Sequence, residues 1–443
     1  MSGTNTTLPL RQRVESVLPL SGTEPLAPAR LKVAYVMSRF PKLTETFILY
    51  EMLAMEELGI DVRIYPLLRE RQKVSHPEVE KLLPRVRFLP FFSPAILRAQ
   101  LHFLLRKPRK YFQTLFTLLR GAWGSANFFV GVLGIFPKAV RLAFEIQKEG
   151  INHVHAHFAN HPAAAALIIH RLTGIPYSFT AHGSDLHVER RLLDKKVESA
   201  AFAATISSYN KELMVRECGE DVRGKIHVIH SGVDPNVFRP VSRQGRIGEA
   251  HILCVGSYEE VKGHTFLVEA CRILRDRGVE FVCDLVGEGP LRSQVEAQIE
   301  RAGLQHIVLV HGGRPRPEVA RMMNEAEVMV LPSVPTKRGK REGIPVVLME
   351  AMASALPVVS SAISGIPELV ENGRTGLLTP PGDAADLADA LQRLLEDPEL
   401  RTQMGRLGRE KVVREFNLYR SSEKLSKMFR ATSPRKDSNE VQR

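Results

Sequence analysis

Short apolar runs alternate with longer amphipathic segments along most of the chain. Glycine, proline or polar residues bound each run, which is typical of buried strands that alternate with helices. The first unit predicts a strand at 32–37, a helix from about Thr44 to Leu58 that Gly59 ends, and a strand at 62–65. This order is typical of the start of a doubly wound α/β domain.

The same alternation continues through both halves of the chain. Further strands are predicted at 151–159, 176–180, 203–206, 226–230, 252–255, 281–286, 307–310 and 328–331. Helices are predicted between them, including 162–172, 263–277, a helix beginning at Leu291, and 318–324. We therefore expect an α/β fold with two Rossmann-like, doubly wound domains, whose parallel sheets face each other across a cleft.

Composition shifts divide the chain into four parts. Residues 1–30 are predicted to be a flexible lead-in, and 31–240 a first domain that carries a helical insert at 81–144. A polar, Pro- and Gly-containing linker at 240–246 introduces a second domain at 241–415. Residues 416–443 are predicted to form a C-terminal helix followed by a disordered tail.

Cysteine usage and hydropathy suggest a cytoplasmic protein. The four cysteines have no pair spacing, which fits reduced thiols: Cys218, Cys254, Cys271 and Cys283. The start of the chain does not read as a secretory signal, and no apolar run reaches the length of a membrane-spanning helix.

The net charge of +12 is concentrated in one interval. Between Glu80 and Glu145 the sequence contains no Asp or Glu, but many basic residues interleaved with large apolar and aromatic ones. This mixture predicts a surface that lies on an anionic membrane. The alternative is that the helices pack on the first sheet and expose their cations to water. Nucleic acid is not expected as a partner, because no nucleic-acid-binding module is visible.

A strand, a basic loop and a helix between 328 and 354 carry two acids eight residues apart, Glu342 and Glu350. Glu342 is expected at the helix mouth and Glu350 inside an apolar helix, where a carboxylate requires hydrogen-bond donors. A ribose diol supplies two such donors, and a helix N-terminus suits a diphosphate. The alternative is that Glu342 caps the helix and Glu350 pairs with a buried Arg.

Histidines cluster near the ends of two predicted strands. His153, His155 and His157 alternate along one strand, and His182 follows the next. We do not expect a metal site, because no carboxylate or cysteine accompanies the three histidines in sequence. His182 precedes Gly183 at the carboxyl edge of a strand, where open α/β sheets bind ligands. As a lone histidine it is equally compatible with a structural role.

The Glu342/Glu350 segment is followed by three motifs: ALPVVS at 355–360, GIPELV at 365–370 and NGRTGLL at 372–378. Together with these motifs, the segment resembles the family-four retaining glycosyltransferases of GT-B fold. The resemblance extends to VGEGPL at 286–291, GVD at 232–234 and Val255-Gly256 with Lys262-Gly263. It covers about residues 31–415. The segment SRFPKLTETF at 38–47 resembles the colanic acid and exopolysaccharide branch of that family.

The resemblance implies roles for individual residues. Catalytic roles fall to Glu342 at the sugar hydroxyls, Lys262 at the leaving diphosphate and His182 beside the transferred sugar. Glu350 is expected to bind the ribose. The other donor-binding positions are Gly256, Ser257, Gly287, Gly289, Gly343, Ile344, Pro345 and Val346.

Several positions depart from the family pattern. Ser257 stands where relatives carry an Arg, and the loop at 337–341 is basic where this branch tends to be acidic. Paired glycines are absent after the first strand, where Arg39 and Lys42 are expected to act on the acceptor and phosphate side by charge. Basic residues of the 337–341 loop are a candidate replacement for the missing Arg.

The resemblance implies a metal-independent, retaining transfer from a UDP- or GDP-sugar, without a cofactor. The expected acceptor is a glycan or a lipid-linked sugar in exopolysaccharide biosynthesis, and the expected location is the cytoplasmic face of the membrane. The main alternative is a non-catalytic nucleotide-sugar-binding subunit of a glycosyltransferase complex. A phosphorylase or a sugar-nucleotide epimerase on the same architecture is a further alternative.

Overall fold

Two six-stranded sheets form the framework of the protein. The structure, a computed structural model, describes residues 30–42, 45–70, 78–91, 93–241 and 249–433. Neighbouring strands within each sheet are parallel throughout. The predicted α/β architecture with two doubly wound parallel sheets is confirmed.

The first sheet is buried on both faces. Its strands are β1 Lys32–Phe40, β2 Asp61–Arg69, β3 His153–His157, β4 Tyr177–Ala181, β5 Phe202–Thr205 and β6 Ile226–Val228, in the spatial order β2-β1-β3-β4-β5-β6. Along β1, Val33 and Tyr35 enter one apolar core and Ala34 and Val36 the other. This alternation follows from the two-residue period of a strand.

Helices cover both faces of this sheet. They are α1 Thr46–Glu57, α2 Val79–Leu82, α3 Pro94–Arg106, α4 Pro108–Ala122, α5 Ala126–Lys148, α6 His161–Thr173, α7 Ser184–His187, α8 Leu193–Ser199 and α9 Ser208–Cys218. Helices α3 to α5 form the predicted insert and pack on the sheet through residues such as Phe103, Leu118 and Phe136. Within the described residues, no helix combines the length and the apolarity that crossing a membrane requires.

The second sheet repeats the plan. Its strands are β7 Ala250–Val255, β8 Phe281–Val286, β9 Val308–Gly312, β10 Val328–Leu331, β11 Val358–Ser361 and β12 Leu377–Thr379, in the order β12-β11-β10-β7-β8-β9. Its helices are α10 His264–Asp276, α11 Arg292–Arg301, α12 Arg316–Glu325, α13 Val346–Ala353, α14 Ile366–Leu369, α15 Ala384–Glu396 and α16 Pro398–Glu415.

The last helix, α17 Leu418–Thr432, returns to the first domain. Its Leu425 and Phe429 are buried in the same apolar core as Val33 and Tyr35 of β1. The guanidinium of Arg430 donates to the carbonyl of Leu58 at 3.0 Å. The chain therefore completes its first domain with its last helix.

One sequence prediction about position is wrong, and others fall outside the described residues. Arg39 was expected in the loop after β1 but lies within the strand, opposite Leu68, because β2 continues to Arg69 and extends the pairing. Residues 1–29 of the predicted lead-in, residues 242–246 of the predicted linker at 240–246, and residues 434–443 of the tail lie outside the described residues.

Candidate active site

An ion pair at the carboxyl edge of the second sheet brings together two of the predicted catalytic residues. The Lys262 Nζ lies 2.9 Å from the Glu342 Oε1, and the two side chains are only 18% and 15% exposed. Lys262 ends a single 3-10 turn after β7, and Gly263 follows with a left-handed φ of 70°. A Cβ on Gly263 would lie 1.9 Å from the carbonyl oxygen of Pro332, so only glycine allows this approach.

Backbone contacts between the loops after β7 and β8 hold the predicted donor-binding glycines together. The amide of Gly256 donates to the Val286 carbonyl at 2.9 Å. A Cβ on Gly287 would lie 1.9 Å from the Gly256 oxygen, and one on Gly289 would lie 2.6 Å from the Tyr258 nitrogen. The methylenes of Lys262 lie within 3.7 Å of the Cβ position of Gly256, so this edge adjoins the ion pair.

The two domains touch at the turn that contains His182. A Cβ built on Gly343 would lie 2.3 Å from the His182 carbonyl oxygen, and one on Gly183 would lie 3.2 Å from the Gly343 Cα. The carboxylate of Asp185 fixes this turn by accepting from the amides of His182 at 3.0 Å and Gly183 at 2.7 Å. His182 and the Glu342/Lys262 pair therefore lie at one interdomain contact.

Glu350 lies inside α13 and faces one basic residue. The Arg316 Nε, at the start of α12, is 3.7 Å from the Glu350 Oε1, and the side chains are 14% and 13% exposed. Burial raises the pKa of Glu350 to about 7, although Arg316 acts in the opposite direction. The arginine of the alternative reading is thus present, but at a separation longer than a hydrogen bond.

The Arg316 guanidinium also stacks on two aromatic rings. It lies 4.0 Å from the ring centroid of Tyr50, in the first domain, and 4.8 Å from that of Phe238. This contact joins the two domains beside Glu350. Cation–π attraction of this kind strengthens when the partners are withdrawn from water.

The helix mouth differs slightly from the prediction. Pro345 is the residue that precedes α13, and Val346 is the first helical residue. Ile344 is buried at 4% exposure. Because Pro345 has no N–H, the donors of this helix end begin at Val346.

Four of the other predicted cations have carboxylate or hydroxyl partners. Arg39 pairs with Glu70 at 3.2 Å, and Lys42 pairs with Glu45 at 2.6 Å. In the 337–341 loop, Lys340 pairs with Glu259, and Arg341 donates to the Tyr209 hydroxyl at 3.4 Å. The Ser257 hydroxyl lies 3.4 Å from the Glu259 carboxylate. The structure therefore does not bring Arg39 or Lys42 into the Lys262/Glu342 pair.

A carboxylate does lie beside the histidines of β3. The sequence argument against a metal site, that no carboxylate accompanies them, therefore rests on a wrong premise. Ligand atoms of Glu51, His155 and His157 lie within 4.8 Å of one another. Glu51 comes from α1 and was not adjacent in sequence. Both ring nitrogens of His155 already face hydroxyls, those of Ser178 at 2.8 Å and Thr180 at 3.0 Å. These hydrogen bonds explain the burial of His155 without a metal ligand role.

Comparison with known proteins gives the family. Residues 44–237 match the family described as Glycosyltransferase Family 4, and residues 242–411 match Glycosyl transferases group 1. The putative colanic acid biosynthesis glycosyltransferase WcaL of Escherichia coli is 32% identical over 421 residues, which cover 90% of this chain and 100% of that protein. The chain belongs to glycosyltransferase family 4. The amylovoran biosynthesis glycosyltransferase AmsK of Erwinia amylovora is 30% identical over 421 residues, with 90% and 99% coverage.

Solved structures confirm the GT-B fold of this family 4 glycosyltransferase. HepE of Anabaena, in complex with UDP-glucose, aligns with a TM-score of 0.69 at 15% identity over 91% of this chain and 100% of that chain. Sucrose-phosphate synthase of Thermosynechococcus elongatus aligns with a TM-score of 0.69 at 20% identity, with 91% and 99% coverage.

Sequence reasoning missed several polar residues of this glycosyltransferase site. Asp185, which fixes the His182 turn, is only 3% exposed and was not among the predicted residues. Arg316 and Glu51 lie on helices whose apolar spacing gave no sign of a polar task. A carboxylate two residues after His-Gly at a strand end was the one visible signal, since such a side chain can accept the turn's amides.

Proposed function

We propose that this glycosyltransferase moves a sugar from a UDP- or GDP-sugar to a glycan or lipid-linked acceptor in exopolysaccharide biosynthesis, with retention of anomeric configuration. The Lys262/Glu342 pair carries the proposal, because an ammonium and a carboxylate lie together where Gly343, the residue after Glu342, meets the backbone of the His182 turn across the two domains. The names of AmsK and WcaL support the polymer class. The UDP-glucose complex of HepE supports the donor class.

The proposed chemistry follows from charge. As the C1–O bond to the diphosphate breaks, negative charge grows on the leaving phosphate, and fixed positive groups stabilise that transition state. Lys262 and the N-terminus of α13 supply this charge. Glu342 accepts from sugar hydroxyls and Glu350 from the ribose diol.

The acceptor oxygen attacks C1 on the face that the diphosphate leaves, and the departing phosphate oxygen takes the acceptor proton. This route needs no metal. We therefore expect turnover to persist in the presence of excess EDTA.

Sugar transfer by point variants tests the site. We expect Glu342→Gln, Lys262→Ala and Glu350→Ala each to lower kcat/KM by about 100-fold, since each removes a charged contact to the donor. Lys427→Ala is the matched control, because that side chain is 74% exposed on α17. Unchanged turnover in all three site variants would refute the assignment. Failure of the wild-type chain to hydrolyse or transfer any nucleotide sugar would instead favour a non-catalytic subunit.

We further propose that the acceptor is presented at an anionic membrane surface on which α3, α4 and α5 lie. Eight large apolar side chains of this insert are 48% to 76% exposed: Leu97, Leu101, Leu105, Phe112, Phe116, Trp123, Val130 and Leu133. Leu97, Leu101 and Leu105 follow at four-residue spacing and so share one face of α3. If these helices served only to pack on the first sheet, their large apolar side chains would not need to be exposed.

The basic residues of the insert divide into two groups. Exposed cations accompany the apolar side chains: Arg98, Arg106, Arg109, Lys110 and Arg120. Two others are engaged inside the domain, where Lys107 donates to the Leu172 carbonyl at 2.7 Å and Lys138 donates to the Leu67 carbonyl. Burial lowers the pKa of Lys138 to about 8. Only the exposed group is available to anionic headgroups.

Flotation with vesicles tests the membrane proposal. We expect the protein to float with phosphatidylglycerol vesicles and to lose most binding when Arg106, Arg109 and Lys110 are changed to Gln, or Phe112 and Phe116 to Ser. The matched control changes three cations of the second domain that are 62% to 67% exposed: Arg374, Arg406 and Arg414. Equal binding by the insert variants and the control would contradict the proposal.

A further inference from the structure

A column of buried polar side chains lies between β3 and β4, below the His182 turn. The His153 Nε2 and the His155 Nδ1 lie 2.7 Å and 2.8 Å from the Ser178 hydroxyl oxygen. For His157, the last histidine of β3, the described residues place no hydroxyl beside the ring nitrogens. Its Nδ1 lies 3.0 Å from the His182 Nε2, and its Nε2 lies 3.2 Å from the Glu51 Oε1.

We propose that Glu51 and His157 are positioning residues that hold His182 in a single tautomer, with its proton on Nε2 and its Nδ1 free to accept from a sugar hydroxyl. This inference rests on the proposed transfer reaction, because it deepens the role of His182. It assigns a task to Glu51, which the sequence pattern did not indicate, and to His157, which the pattern singled out without a role.

Glu51 determines which group donates in each hydrogen bond of this chain. Its Oε1 lies 3.1 Å from the Tyr35 hydroxyl as well as 3.2 Å from the His157 Nε2. Burial and the adjacent Glu51 raise the pKa of Tyr35, so the phenol keeps its proton and donates. A carboxylate oxygen that accepts from the phenol accepts most simply from an N–H of His157 as well.

The chain then continues to His182. When Nε2 of His157 donates to Glu51 and Nδ1 carries no proton, the Nδ1 lone pair accepts from the His182 Nε2–H. Burial, reinforced by the nearby His157, lowers the pKa of His182, which keeps that ring neutral. Its second nitrogen, Nδ1, is then an acceptor. A sugar hydroxyl is the natural donor to it, whereas a developing oxyanion is not.

Ring packing fixes the orientation that this chain requires. The His182 ring centroid lies 4.7 Å from that of Phe47, 4.8 Å from that of Phe158 and 5.3 Å from that of His157. Phe158 has a φ of 78°, a left-handed conformation that a bulky residue rarely adopts. Backbone strain of this kind is found at sites where side-chain placement matters.

Two substitutions of His157 separate positioning from general packing. The Asn oxygen can occupy the place of the His Nδ1 and still accept from His182, whereas the longer Gln side chain reaches toward Glu51 instead. We expect His157→Asn to retain most of kcat/KM and His157→Gln to lose about tenfold, mainly in kcat. Glu51→Ala is expected to behave like His157→Gln. Thermal unfolding of each variant reports on the fold.

The tautomer itself is read by NMR of protein labelled with 15N-histidine, with the His182 signals assigned from a His182→Asn variant. We expect a protonated Nε2 and an unprotonated Nδ1 in the wild type and in His157→Asn, and a mixture of tautomers in His157→Gln. A wild-type His182 protonated on Nδ1, or one unchanged in His157→Gln, would overturn the inference. Absence of sugar transfer with every donor would refute the proposed function alone, because the NMR result does not depend on turnover.

Discussion

At the scale of single residues, the candidate site holds its charged side chains in pairs. Lys262 and Glu342 satisfy each other at 2.9 Å. In the proposed reaction, a donor diphosphate beside Lys262 and sugar hydroxyls beside Glu342 would replace this contact with two others. Such an exchange costs less than uncovering an unpaired charge, because neither group is left alone in a poorly hydrated place.

Glu350 predicts a pH dependence of folding stability. Its pKa is about 7 in the folded protein against an ordinary value of 4.5, because burial disfavours the charge. Stability from the protonated group is therefore fully present below pH 4.5 and is lost as the pH rises through about 7. We expect Glu350→Gln to raise the free energy of unfolding at pH 8 by on the order of 3 kcal/mol, with little change at pH 4.

Urea unfolding at the two pH values measures this difference. Glu423→Gln is the control, because its carboxylate is 54% exposed on α17. An equal effect of Glu350→Gln at both pH values would show that the carboxyl is not charged at a cost in the folded protein.

The residues that sequence could predict are those whose neighbours in sequence carry the signal. Glu342, Glu350 and Lys262 belong to motifs with recognisable spacing. Glu51 and His157 are 106 residues apart, and only the sheet order β2-β1-β3, with α1 leading out of β1, brings them together. A local pattern holds no trace of such a pair.

At the scale of elements, the approach of α13 to the His182 turn depends on one glycine. A Cβ on Gly343 would lie 2.3 Å from a backbone oxygen, which cannot move as a side chain can. We expect Gly343→Ala to push the turn from the helix and to lower kcat/KM by about tenfold or more. Gly224→Ala is the control, because open space surrounds its Cβ position. Activity equal to wild type in Gly343→Ala would show that this contact is not needed for turnover.

The ten strands that the sequence predicted, β1 to β10, lie within a few residues of those observed, because buried parallel strands read as continuous apolar runs. The short strands β11 and β12 were not predicted. The ends of the strands were harder to predict. β1 continues through Arg39 because β2 offers backbone partners that far, and no property of Arg39 itself announces this. The sequence predicted that the insert helices are basic and apolar. It did not predict which cations are buried, such as Lys138, which donates to a backbone carbonyl inside the domain.

At the scale of the whole molecule, three of the contacts between the domains are of interest. They are the Gly183/Gly343 approach, the Arg316/Tyr50 stack and the carboxylate of Glu368. Glu368, on α14, accepts from the amides of Ser208 and Tyr209 at the start of α9, each at 2.8 Å. A helix end in one domain is thus capped by an acid from the other.

This cross-domain cap predicts a change in shape. We expect Glu368→Ala to increase the radius of gyration of the ligand-free protein in small-angle X-ray scattering and to raise KM for the donor severalfold, since closure loses two charge-assisted hydrogen bonds. Glu410→Ala is the control, because its ion pair with Arg406 lies within a single helix. Identical scattering curves for the two variants would contradict a role in closure.

The return of α17 also bears on how the polypeptide is made. Phe429 is fully buried in an apolar core. Outside α17, the residues of this core lie mostly between 33 and 86, with a few in and near β5. A chain truncated near residue 415 therefore lacks the side chains of α17 that fill this core. We expect the first domain to reach its full resistance to proteolysis only after α17 has been synthesised, because its apolar core is incomplete until then.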